Sequence, residues 1–157
     1  MLCQLLSTPK QYTTYRPCQK TQKGINMNEL KIGTTGSASV TVDKSNTANV
    51  MGSGSLEVFS TPSMTALMEK AACNALKNNL EGDETTVGTM LSITHDSATP
   101  MGMNVTAEAV VTAVNGREIC FDVSAKDDAG IIGKGTHKRF LVYSEKFMEK
   151  ALQKSNH

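Results

Sequence analysis

The stretch STPSMTALMEKAACNALKNNLEGD, residues 60–83, constrains the fold more than any other part of the chain. Met64, Leu67, Met68, Ala71, Ala72, Ala75 and Leu76 recur at i, i+3, i+4, i+7 and i+8 spacing, the signature of one apolar helix face. Lys70, Asn74 and Lys77 lie opposite. Thr61 reads as the N-cap and Pro62 as the first helical residue, where a missing N–H costs nothing. Gly82 reads as the stop. A single helix of this kind must find an apolar partner elsewhere in the chain.

That partner is a sheet. TGSASVTV, residues 35–42, reads as a first strand before the helix. After the helix come TTVGTMLSIT, MNVTAEAVVTAV, REICFDVSAK and IIGKGTHKRFLVY. Asn115-Gly116 is a strong hairpin signal, and DDAG marks a second turn. SEKFMEKALQK closes the chain as a short amphipathic helix, with Ser144 as its expected cap. The order is strand, helix, four strands joined largely by tight turns, helix. Without strand–helix alternation a parallel doubly wound sheet is not expected. The expectation is α+β: a hotdog fold, an antiparallel sheet curled around one long central helix, plus the short C-terminal helix.

Residues 1–26 are polar and lack either periodicity, so they read as a disordered tail before a domain spanning 27–157. Met27 opens MNELKIG, which resembles a natural start. MLCQLLS has no leading positive charge and does not read as a signal peptide. The formal net charge of the 157-residue chain is +1, with lysines and acids interspersed. A nucleic-acid surface, which needs clustered cations to displace counterions, is not expected. No run approaches the roughly 20 apolar residues that span a bilayer. The four cysteines lack CxxC spacing, so free thiols in a cytoplasmic protein are expected, with Cys73 and Cys120 as small buried hydrophobes. The segment 45–59 is rich in Ser, Asn and Gly and long for a connection, which suits a lid.

Three polar residues stand where chemistry is possible. Glu69 falls at the margin of the helix's apolar stripe, placed to be half desolvated. His95 ends an apolar strand; imidazole is suited to moving protons near neutral pH. Thr61 brings a hydroxyl to the positive end of the helix, where backbone N–H groups lack partners. Asp96 follows His95 directly, but neighbours in an extended chain point to opposite faces, so it reads as loop polarity.

The segments VFSTPSMTALMEKAA, VGTMLSITHDSATPMGMNVT and GKGTHKRFLVYSEKF, in this order and spacing, resemble the hotdog thioesterases typified by fluoroacetyl-CoA thioesterase. The resemblance covers roughly residues 28–154. It implies catalytic roles for Thr61, Glu69 and His95. It implies that Gly88 lies beside the thioester, and that Arg139 is the basic residue of the GTHxR segment, facing CoA phosphates together with Lys134 and Lys138. His137 receives no role. Phe59 is the one aromatic in the lid, where the family carries bulky aromatics; Gly52 and Ser55 stand near those places. That departure points to a broader or different acyl-CoA preference than a fluorinated one.

The implied activity is hydrolysis of a short-chain acyl-CoA without metal or organic cofactor. Glu69 is then either general base or nucleophile. Thr61 and Glu69 lie eight residues apart, about 12 Å along a helix axis. Either the acyl-CoA lies along the helix, or a homodimer combines residues of two subunits at its interface, the arrangement usual among hotdog relatives. The alternatives are a non-catalytic acyl-CoA-binding module and a hotdog hydratase or dehydratase.

Overall fold

The computed structural model describes residues 30–156, apart from the side chain of Asn156; the expected tail, Cys3 and Cys18 lie outside the described residues. The elements are β1 (Thr35–Thr41), α1 (Ala48–Met51), α2 (Thr61–Leu76), β2 (Glu84–His95), β3 (Asn104–Asn115), β4 (Glu118–Asp127), β5 (Gly130–Tyr143) and α3 (Ser144–Leu152), followed by a 3-10 turn (Gln153–Asn156). The five strands form one antiparallel sheet in the order β1-β3-β4-β5-β2. This is the expected α+β arrangement, with α2 lying mainly on β1 and β3.

Alternation along the strands decides which face meets α2. Val105, Ala107, Ala109 and Val111 of β3 are buried, as are Ile119, Phe121, Val123 and Ala125 of β4. Met64, Leu67, Met68, Ala71, Ala72, Ala75 and Leu76 of α2 close over them. Small residues dominate where the layers meet, and they let the helix backbone come down onto β1. At Gly36 an added Cβ would strike the backbone of Ala71 and Ala75. Asn74 donates its side-chain N–H to the Ser37 carbonyl at 2.8 Å, satisfying one acceptor of that strand. With a low aromatic content, core stability rests on about 1.5–3 kcal/mol from each fully buried large aliphatic or Phe side chain.

Several sequence expectations shift by a residue or more. The N-cap of α2 is Ser60, not Thr61: Ser60 is extended (φ −81°, ψ 149°) and its hydroxyl accepts from the Ser63 N–H at 3.1 Å. Pro62 is therefore the second helical residue. The helix ends at Leu76 rather than running toward Gly82, which turns with φ +57°. Ser144 opens α3 instead of capping it and donates to the Asp83 carbonyl at 3.1 Å. The β3–β4 turn has Gly116 and Arg117 as central residues, with Gly116 at φ +62°. Cys73 is exposed and Cys120 half-buried, because Cys73 falls on the polar side of α2; both are free thiols.

The lid is more ordered than its composition implied. It contains α1 and is pinned at its base by single bridges, Thr47 to Phe59 and Val58 to Pro100. The Phe59 N–H donates to the Thr99 carbonyl at 2.8 Å, tying the lid to the loop after His95. No helix among the described residues is long and apolar enough to cross a membrane.

Candidate active site

The shift of the N-cap to Ser60 has a direct chemical result. Ser60 takes over the capping bond, which leaves the Thr61 hydroxyl free for other work. Its Oγ1 lies 2.8 Å from Nδ1 of His95, across 34 residues of sequence. His95 is half-buried at the end of β2. Its Nε2 is buried and has no hydrogen-bond partner among the described residues. A ring with one nitrogen anchored by a hydroxyl and the other unengaged is oriented for proton exchange. Asp96 takes no part: its carboxylate accepts from the Thr94 hydroxyl at 2.9 Å.

Two turns along α2, Glu69 meets the same strand at Gly88. Its side chain is 42% exposed, so the carboxylate sits at the border of core and solvent. A Cβ added at Gly88 would lie 2.6 Å from Glu69 Oε1 and 3.2 Å from Cε1 of His137. Glycine at position 88 thus makes room for the carboxylate. A bulge between Gly88 and Met90 breaks the β2–β5 register at this point, a common device for aiming groups at a site.

Arg139 is turned inward and is only 6% exposed. Its Nε donates to Thr86 Oγ1 and its Nη2 to the Thr86 carbonyl, both at 2.8 Å. Its Nη1 meets Nε2 of His137 at 3.2 Å. The guanidinium therefore belongs to the Glu69–Gly88 cluster, away from the exposed surface where the phosphates of CoA were expected. His137, which sequence reasoning passed over, is fully buried in the same cluster. Burial pushes its pKa below the ordinary value. The hydrogen bond to the Met90 carbonyl opposes that shift, the Arg139 charge adds to it, and the Glu69 charge opposes it. The strand period could have flagged His137, since it shares a face with Arg139.

The remaining expectations land elsewhere. Phe59 is 1% exposed and packed in the core, where it forms one wall of a groove of about 240 Å³ beside Leu67 and Lys70. The lid instead presents Val50, Met51 and Leu56 to solvent. Lys138 pairs with Glu118 at 3.1 Å. Lys134 borders a cavity of about 640 Å³ with Glu108, Asp122 and Thr136. That larger cavity touches none of Thr61, Glu69 or His95.

Residues 42–145 match the family model described as fluoroacetyl-CoA-specific thioesterase. The chain belongs to this family. The fluoroacetyl-CoA thioesterase of Streptantibioticus cattleyicolor is 43% identical over 99 residues, covering 63% of this chain and 71% of that protein. A solved structure of the fluoroacetyl-CoA thioesterase superposes with a TM-score of 0.75 at 35% identity, covering 79% of this chain and 96% of the other. A hot-dog-like protein from Thermanaerovibrio acidaminovorans superposes with a TM-score of 0.74 at 24% identity, over 82% and 96% of the two chains. A thioesterase superfamily member from Thermus thermophilus gives 0.76 at 21%, over 83% and 96%. The last two bear on the fold alone, and they bear out the hotdog architecture.

Gly88→Ala tests the Glu69 cluster within this family frame. The closest atom the added methyl meets is the tip of the flexible Glu69 side chain, which can swing toward solvent, while the buried His137 ring 3.2 Å away has to give by only a few tenths of an ångström. The expected result is a thermal midpoint within a few degrees of wild type and thioesterase activity lowered about 10²-fold, the typical effect of misplacing a reacting group by an ångström. Activity within twofold of wild type would show that the carboxylate works from another position.

Proposed function

We propose that this protein hydrolyses short-chain acyl-CoA thioesters to the free acid and CoA. Family membership supports the reaction class, and the 2.8 Å pairing of Thr61 with His95 at the start of α2 is the observation that carries the site. In this reading the thioester carbonyl approaches the positive end of α2, where the helix dipole and the Thr61 hydroxyl stabilise the developing oxyanion. Glu69 acts on the acyl carbon, by deprotonating a water that attacks it, or by attacking it directly to form a mixed anhydride that water then hydrolyses to the free acid. The C–S bond breaks, and CoA leaves as a thiol after accepting a proton. His95, with Nε2 unengaged, is the proton carrier. The reading needs no metal or organic cofactor.

Thr61 and Glu69 remain about 12 Å apart along the helix axis, so one carbonyl cannot touch both in a single orientation. The proposed solution is a homodimer in which the Thr61–His95 pair of one subunit works with Glu69 of the other. β2 supports this: it is an edge strand of 12 residues, paired only with β5, and it carries both Gly88 and, as its last residue, His95. Such an edge is a ready template for pairing with another chain. We further place the enzyme in the cytoplasm, on its unpaired cysteine spacing. The aliphatic lid favours a short, unfluorinated acyl group or a broad range of them.

The test offers purified protein a panel of acyl-CoAs, fluoroacetyl-CoA and acetyl-CoA included, and follows free CoA by chromatography. Wild type should release CoA, and His95→Ala should lose about 10²-fold or more in rate. Absence of CoA release from every substrate, with acyl-CoA still bound, would make the protein a binding module. Mixing inactive Thr61→Ala and Glu69→Ala chains tests the shared site. Subunit exchange should rebuild one intact site in each mixed dimer; no recovery of activity would sink that arrangement.

A further inference from the structure

His137 is fully buried, and its two nitrogens have different partners. Nδ1 lies 2.8 Å from the Met90 carbonyl oxygen. A carbonyl only accepts, so Nδ1 carries the proton. In the neutral ring Nε2 is then bare, and Arg139 Nη1 donates to it at 3.2 Å. The same Nε2 is 3.9 Å from Glu69 Oε1. Every element around the ring contributes something defined. α2 presents the Glu69 carboxylate, β2 the Met90 carbonyl at the bulge, β4 the ring of Phe121 at a centroid distance of 6.1 Å, and β5 Arg139. The charged groups that reach the imidazole are Glu69 and Arg139.

The imidazole thus stands between a carboxylate and a guanidinium that would otherwise attract each other. Arg139 already gives Nε and Nη2 to Thr86, so Nη1 is the arm that bonds His137. A bidentate or even single Arg–carboxylate bond would tie up the lone pairs that Glu69 needs. We propose that His137 is a positioning residue: its bare Nε2 engages Arg139 Nη1 and keeps that arm off Glu69, so that the carboxylate lies against Gly88 unpaired and reactive. The inference rests on the thioesterase reading for its kinetic consequence, but its geometry is tested without it. A protonated His137 would fail twice, releasing Arg139 and donating its own Nε2–H to Glu69. Burial opposes that state.

Two conservative replacements separate this role from a structural one. In His137→Gln the side-chain oxygen reaches the place of Nε2 and can accept from Arg139. In His137→Asn the amide N–H reaches the place of Nδ1, holding the Met90 carbonyl and the bulge while offering Arg139 no acceptor. The proposal expects kcat to fall about 10- to 100-fold in His137→Asn, with KM within about twofold, and His137→Gln to recover most of that loss. If His137 only anchors the bulge, the order reverses, with Asn active and Gln impaired. Equal activity of both variants and wild type also overturns it. A second measurement uses wild-type protein labelled with 15N-histidine, with His137 assigned by its loss in His137→Gln. At neutral pH the ring should be neutral, protonated at Nδ1 and bare at Nε2. A proton on Nε2 at that pH overturns the proposal even if no acyl-CoA is turned over. The expected tautomer together with absent CoA release would fault the thioesterase reading instead.

Discussion

Glu69→Gln is expected to abolish most CoA release, lowering kcat by about 10²- to 10⁴-fold, the usual span for removing a positioned base. The change keeps size and hydrogen-bonding capacity and deletes only the charge and basicity. The side chain is 42% exposed and its nearest imidazole is neutral in the arrangement above, so little stability hangs on that charge. The thermal midpoint should therefore stay close to wild type while activity collapses. Steady-state kinetics over the acyl-CoA panel reads the effect. A rate within tenfold of wild type would remove Glu69 from the chemistry, whether as base or as nucleophile.

Gly36→Ala is expected to do the opposite, damaging the fold before the chemistry. An added Cβ there meets Ala75 Cα at 2.7 Å and also strikes the Ala71 carbonyl and the Ala75 N–H, all backbone atoms of α2. Nothing at that contact can rotate away, so the helix must lift from β1 and its small-residue seam must open. The cost should reach about 3 kcal/mol, the upper part of the overpacking range. That corresponds to a fall in thermal midpoint on the order of 10 °C. Urea unfolding checks the same quantity. An unchanged midpoint would mean that α2 does not sit on β1 at Gly36. The contrast with Gly88→Ala follows from what each methyl meets: only backbone at one site, and at the other the tip of a mobile side chain with the edge of the His137 ring 3.2 Å away.

The elements were legible because short-range rules determine them. The Met64-to-Leu76 stripe, the alternation through Ile119, Phe121 and Val123, and the glycine at position 116 depend only on helical and strand periods and on turn sterics. Their order was enough for the α+β class. Boundaries were less legible. Ser60 and Thr61 are both good capping residues, and only the backbone path from the pinned lid decides that Ser60 is the extended one. Cys73 was misplaced although the helical period sets it with Lys70, Asn74 and Lys77 on the polar side of α2; small size and apolar character alone do not override that spacing.

The site divides along the same line. By itself the sequence determined the helix, the strands, and the residue types at Thr61, Glu69, Gly88 and His95, through local patterning and a family resemblance. Only the tertiary structure decided who touches whom. It joined Thr61 to His95, seated Glu69 on Gly88, turned Arg139 inward onto Thr86, and set His137 between Arg139 and Glu69. It also drew Phe59 out of the lid and into the core. These pairings span strands and helix far apart in sequence. They depend on sheet register, on a bulge at Gly88–Met90 and on how closely α2 packs, and no local period encodes those distances.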